Sequence, residues 1–140
     1  MKTFASSITI QAAPETIWAI LTDAPAYPEW NPTVDKVEGR IERGQKIKVF
    51  AKISPDRAFP AKVSEFKPNE KMVWSGGMPL GLFKGERTFT LTPGADGSVE
   101  FSMREVFSGL MSPLIERSIP DLQPEFDRFA EALKRKAEAS

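Results

Sequence analysis

Two charged residues stand where the pattern asks for apolar ones. Arg87 shares strand parity with Phe83, Phe89 and Leu91, and Glu105 shares it with Val99, Phe101, Met103 and Phe107. Alternate side chains of a strand face the same side, so both charges point toward the apolar face. A charge in an apolar shell must be paired or wet. The functional reading is a polar anchor for a carbonyl, hydroxyl or carboxylate of a bound molecule. Glu105 is also a candidate acid or base. The structural alternatives are a self-satisfied ion pair, an Arg87 that reaches the rim, or a β-bulge that turns either residue outward. If Leu91 pairs with Val99 across a turn at 93–97, Phe89 meets Phe101 and Arg87 meets Met103. Glu105 then lies diagonal to Arg87, within reach of two long side chains.

Tyr27, the only tyrosine, and Trp30 flank prolines in Ala24-Pro25-Ala26-Tyr27-Pro28-Glu29-Trp30-Asn31-Pro32. The phenol would meet a ligand or move a proton there, with Asp23 a further acid nearby. The competing reading packs Trp30 between short helices and sheet and uses Asn31 to fix the turn. Gly76-Gly77-Met78-Pro79-Leu80-Gly81-Leu82 matches no phosphate-binding pattern, because no Gly-Lys-Ser/Thr follows. It is either a flap of adaptable apolar side chains or a long hairpin loop packed on its neighbours.

Composition removes several chemistries. The 140 residues contain no cysteine and no histidine. Disulfides, thiol nucleophiles, cysteine zinc sites and serine–histidine catalysis are therefore excluded. A metal would have only oxygen ligands, and no EF-hand spacing occurs; the expectation is no cofactor and no metal. Basic and acidic side chains each number 19, so long-range attraction favours neither nucleic acid nor an anionic membrane. The first 21 residues lack a signal peptide's uninterrupted apolar core, and no apolar run approaches a membrane span. The default expectations are a cytoplasmic location, a single domain over 1–140, and a monomer or homodimer.

The elements that must position these groups follow from periodicity. Phe4, Ser6, Ile8 and Ile10 alternate with smaller or polar residues and predict a first strand. Pro14 opens a short helix with Ile17, Trp18, Ile20 and Leu21 on its apolar side, ending near Asp23. One further helical turn fits around Pro25–Trp30. A second strand is predicted over Val34–Glu42. Ile47, Val49, Ala51 and Ile53 give a third with one wet and one dry face. Ser54-Pro55-Asp56-Arg57 is turn chemistry. Phe59, Ala61 and Val63 give a fourth strand, Met72 and Trp74 a fifth ending at Gly76-Gly77, Phe83–Leu91 a sixth, and Val99, Phe101 and Met103 a seventh. Short turns imply antiparallel neighbours.

At the end, Ile115, Ile119, Leu122, Phe126, Phe129 and Leu133 step by four and three, one stripe on a helix. The stripe either lines a hollow or fills a core, with Phe129 and Leu133 read as core. Ser112-Pro113 reads as a cap with a first-turn proline, and Ser118 with Asp121 as a capping box. Pro120 and Pro124 each remove a helical donor and leave room for two stops and restarts; the expectation is a helix kinked from about Pro113 and straight after Pro124. The Lys134-Arg135-Lys136 cluster suits a helix C-terminus.

Three pieces carry a resemblance. They are the early helix followed by Asp23 and Tyr27-Pro28-x-Trp30-Asn31-Pro32, the pair Phe89-x-Leu91 and Glu105-x-Phe107-x-Gly109-Leu110, and the terminal Phe129-x-x-x-Leu133-Lys134. With them the chain resembles the START-like, Bet v 1-like (SRPBCC) superfamily, often called the polyketide cyclase/dehydrase and lipid-transport family. The resemblance implies an α+β helix-grip fold, a seven-stranded curved antiparallel sheet wrapped around a long C-terminal helix. It implies one or two short helices between the first two strands, and a cavity between sheet and helix. It implies binding of a lipid, polyketide or aromatic molecule there, with a non-catalytic binding protein favoured over an enzyme. Two alternatives stay open: a cyclase or aromatase using Glu105 or Tyr27, and a chaperone-cofactor-like interaction module. The positions expected to meet a ligand are Arg87, Glu105, Tyr27, Trp30, Val49, Ala51, Phe59, Trp74, Phe89, Phe101, Met103, Ile119, Leu122 and Phe126.

Overall fold

A computed structural model describes residues 2–54 and 57–140. Strand β1 (Lys2–Ile10) leads into α1 (Pro14–Leu21), a 3-10 turn (Ala24–Ala26) and α2 (Tyr27–Trp30). Six strands follow: β2 (Val34–Glu38), β3 (Lys46–Ala51), β4 (Ala58–Lys67), β5 (Lys71–Met78), β6 (Phe83–Pro93) and β7 (Val99–Ser108). The chain then forms α3 (Ser112–Ile115), a second 3-10 turn (Glu116–Ser118) and α4 (Gln123–Glu138). The strands make one seven-stranded antiparallel sheet in the order β1-β7-β6-β5-β4-β3-β2. The sheet curls into a half-barrel around the C-terminal helix, which is the helix-grip fold. The turn of Pro55 and Asp56 lies outside the described residues.

Helix α4 buries Phe126, Phe129, Ala130, Leu133 and Ala137 and packs on β1, β7, α1 and α2. Phe129 is the hub. Its ring lies 6.3, 5.5, 5.9 and 6.2 Å from those of Tyr27, Trp30, Phe89 and Phe101, within the range where aromatic pairs attract. Polar groups pin the same helix outside: Lys134 Nζ donates to Thr9 O at 2.9 Å, and Glu138 accepts from Gln11 N at 2.8 Å.

Several expectations need correction. The terminal stripe is not one kinked helix: α3 and its 3-10 turn stop, and the helix restarts only at Gln123. Ile119 is extended, with φ −80° and ψ 122°, because the ring of Pro120 crowds the helical conformation of the residue before it. The capping box does not form either. Ser118 Oγ donates to Ile115 O, and Asp121 Oδ1 accepts from Gln123 N, at 2.7 and 3.1 Å. Ser112 is not a cap but the first residue of α3, its hydroxyl donating to Glu116. Strand β2 ends at Glu38 rather than Glu42, since Gly39 takes φ +102°, a conformation that leaves the strand. Likewise β3 stops at Ala51, and Ile53 is exposed beyond it.

The register of β6 and β7 also differs from expectation, by two residues. Val99 pairs with Pro93, Phe101 with Leu91, Met103 with Phe89 and Glu105 with Arg87. The turn sets this. Gly94 N donates to Ser98 O at 2.8 Å, and Asp96 Oδ1 accepts from Ser98 N and Oγ at 3.2 and 2.5 Å. Closure at 94 and 98 leaves Pro93 opposite Val99, and every pair beyond follows. Arg87 and Glu105 therefore face each other directly, not diagonally.

Candidate functional site

Two neighbouring rows across the concave face make the site. The first runs Val63, Trp74, Arg87, Glu105, Phe4, each the register partner of the next. It is full of large side chains. The second contains Gly76, Gly85 and Phe107, again as register partners, with Ala61 beside Gly76 on β4, its Cα 3.7 Å from where a Cβ on Gly76 would sit. For three strands this row has almost no side chain. A Cβ on Gly76 would lie 2.6 Å from Pro60 O, and one on Gly85 would lie 3.2 Å from the Phe107 ring. The glycines thus let backbone and ring approach closely while leaving the space above them unfilled.

Helix α4 does not fill that space, because it sits toward β1 and β7. The result is a cavity of about 650 Å³, within the range of small-molecule sites. Val49, Ala51, Ala61, Trp74 and Met103 line it from the sheet, and Ile115, Ile119, Leu122, Phe126 and Phe129 from the other side. Ile115, Ile119 and Leu122 reach it from the broken segment before α4, not from one helix face. Ile53, Phe59 and Met78 line it while remaining exposed, and so form its rim.

The two inward charges meet inside. Arg87 Nε donates to Glu105 Oε1 at 2.6 Å, with side-chain exposures of 22% and 13%. The guanidinium also lies over the Phe126 ring, 4.8 Å from its centroid, a cation–π arrangement. The pair thus faces the cavity, as strand parity requires, and neither residue is turned out by a bulge.

Of the expected ligand positions, ten line the cavity: Arg87, Glu105, Val49, Ala51, Phe59, Trp74, Met103, Ile119, Leu122 and Phe126. Four do not. Phe89 and Phe101 are fully buried and pack against Phe129 under α4. Trp30 packs between Tyr27 and Phe129. Tyr27 is fully buried, and its hydroxyl donates to Leu21 O at 2.5 Å. It pins α1 to α2 rather than facing a cavity. Asp23 is exposed and does not line the cavity. Asn31 does fix its turn, Oδ1 accepting from Thr33 N and Oγ1 at 2.9 and 2.7 Å. The segment expected as a flap is strand as far as Met78, where β5 ends, and the turn after it is tied down by Leu110 N to Gly81 O and Met111 N to Leu82 O, at 3.1 and 2.7 Å. Leu80, at 95% exposed, points away into solvent. Sequence reading missed Ala61, Gly76 and Gly85 as cavity residues. Their parity with Val63, Trp74 and Arg87 was available, but not the register that sets them side by side.

Burial drives the Tyr27 phenol far above its ordinary range; Arg87 pulls weakly the other way and Asp23 adds to the rise. The unfolded chain releases this proton first, so the stability present below about pH 10 falls above it by about 1.4 kcal/mol per pH unit. With one tyrosine the signal is clean. Absorbance at alkaline pH is expected to show no tyrosinate in the native protein at about pH 11, with a step only on unfolding. A titration near the ordinary value in the folded state would contradict the buried hydrogen bond.

The family described as polyketide cyclase / dehydrase and lipid transport matches residues 1–138. The chain belongs to that family. Solved structures agree on the fold. A protein from Mesorhizobium loti is similar at 22% identity and a TM-score of 0.76, covering 99% of this chain and 98% of that one. A START superfamily protein from Mycobacterium smegmatis is similar at 20% identity and 0.69, covering 98% and 97%. The Zhui aromatase/cyclase from a Streptomyces species is similar at 12% identity and 0.75, covering 98% and 93%. No curated protein matches the chain as a relative. Among the described residues, no helix is long and apolar enough to cross a membrane, and no group of three or more acidic side chains gathers to hold a metal.

Proposed function

We propose that this chain binds an apolar small molecule, of lipid, polyketide or aromatic type, in the hollow between sheet and C-terminal helix. The observation that carries this reading is the bare row of Ala61, Gly76 and Gly85 beneath a cavity of about 650 Å³. Position 76 must be glycine, but a sheet built only for stability would carry a larger side chain than Ala61 beside it, because empty apolar space forfeits dispersion contacts. Family membership supports the same reading, and so does the apolar character of most lining residues. The acid–base alternative narrows to Glu105, whose carboxylate faces the cavity; Tyr27 is held by Leu21 O outside it.

Filling the hollow tests the proposal. The neutral fluorophore N-phenyl-1-naphthylamine is expected to bind the native protein saturably at one site. Ala61→Phe, which sends a ring over Gly76 and Gly85, is expected to weaken it about tenfold or more, equivalent to about 1.4 kcal/mol, while the thermal transition stays cooperative. Absence of saturable binding, or an affinity untouched by Ala61→Phe, would overturn the proposal.

A further inference from the structure

We propose that the cavity prefers molecules whose polar end is neutral and carries an acceptor beside a donor, such as a carboxamide or hydroxy ketone, over molecules that end in a carboxylate. This rests on the apolar-ligand reading above and narrows it. The observations lie in one row. Trp74, Arg87 and Glu105 are successive register partners on β5, β6 and β7, and all three line the cavity. A guanidinium has five N–H donors. Arg87 commits only Nε, to Glu105 Oε1; its remaining donors meet no acceptor among the described residues. Glu105 Oε2 receives no donor among them either. Trp74 lines the cavity with its ring, while its Nε1 is buried out of contact with the hollow. The side chains of Arg87 and Glu105 keep some exposure and line the cavity, so a bound molecule can satisfy their spare groups. The row thus presents the spare N–H groups of Arg87 and one carboxylate oxygen of Glu105 side by side.

Charge decides which polar end fits. Arg87 and Glu105 cancel. The other charged groups on the cavity wall are Glu125, which is ion-paired to Arg128, and Arg57, which stands over the rim ring of Phe59 at 5.9 Å. A ligand carboxylate brought to Arg87 would enter the field of Glu105 with no second cation beside it, and like charges repel strongly where water is scarce. A neutral carbonyl accepts from Arg87 without that repulsion. A donor next to it reaches Oε2, so Arg87 and Glu105 are satisfied together.

Three probes with one naphthalene body separate the terms: 2-ethylnaphthalene, 2-naphthamide and 2-naphthoate, titrated calorimetrically at neutral pH. In the native protein, naphthamide is expected to bind about tenfold tighter than either of the others. Glu105→Gln leaves Arg87 uncompensated, so naphthoate is expected to gain about tenfold and draw level with naphthamide. In the double variant Arg87→Met with Glu105→Leu, which leaves no charge to bury, naphthamide is expected to lose its advantage over ethylnaphthalene. Circular dichroism checks that each variant is folded, and the double variant decides if Glu105→Gln is not. Tighter binding of naphthoate by the native protein, or equal ranking in all folded variants, would overturn the anchor. Failure of all three probes, ethylnaphthalene included, would instead overturn the apolar-ligand reading itself.

Discussion

Phe129→Ala is expected to lower the free energy of unfolding by about 3–5 kcal/mol. The ring is 2% exposed and touches four other aromatic rings, drawn from the short helix α2 and from strands β6 and β7. Its removal takes away the buried apolar area and leaves a void that rigid neighbours cannot close. The partners belong to separate elements, so the loss also uncouples α4 from the sheet. Equilibrium urea denaturation followed by circular dichroism measures the change. Truncation of Phe59, an exposed rim residue at 41%, serves as the comparison and is expected to cost far less. A Phe129→Ala loss below about 1 kcal/mol, the average for any substitution, would show that another contact holds the helix.

Glu105→Leu is expected to cost about 3 kcal/mol, because it strands the Arg87 charge in a largely dry site. Adding Arg87→Met is expected to restore most of that loss, since two apolar side chains of similar size suit the surroundings. A double-mutant cycle on the same denaturation assay isolates the coupling. The contrast with Glu105→Gln is informative: glutamine keeps an acceptor for Arg87 Nε and removes only the charge. If the single and double variants were equally destabilised, the 2.6 Å contact would not be what secures Arg87.

Much of this architecture is legible in the sequence because alternation is local. Most of the strands follow from period two within a few residues, and α1 from Pro14 and its apolar side; β2 is an exception, its buried Val34 and Val37 lying three apart across a register shift. The inward direction of Arg87 and Glu105 needs nothing more than parity. What is not legible depends on partners distant in sequence. Their direct opposition requires the closure at 94–98, which apolar pairing of Leu91 with Val99 does not reveal. The stripe from Ile115 to Leu133 looks continuous because residue spacing survives a break in the helix. Only the conformational demand of Pro120 on Ile119 distinguishes the two, and in sequence that signal fits a kink as readily as a stop. Tyr27 is opaque for another reason. A phenol beside prolines reads as reactive, yet its fate is decided by the carbonyl of Leu21, six residues back in the chain.

The bare row of β4, β5 and β6 has a consequence for diversification. Interior room is created by what the sheet lacks, not by displacing α4, so capacity and scaffold are controlled by different positions. Position 76 is held to glycine, since any Cβ there would come within 2.6 Å of Pro60 O, whereas the side chain at position 61 faces open space. Graded substitution at that one place would act as a ruler for occupant size, letting related chains accommodate bulkier or slimmer guests on an unchanged frame.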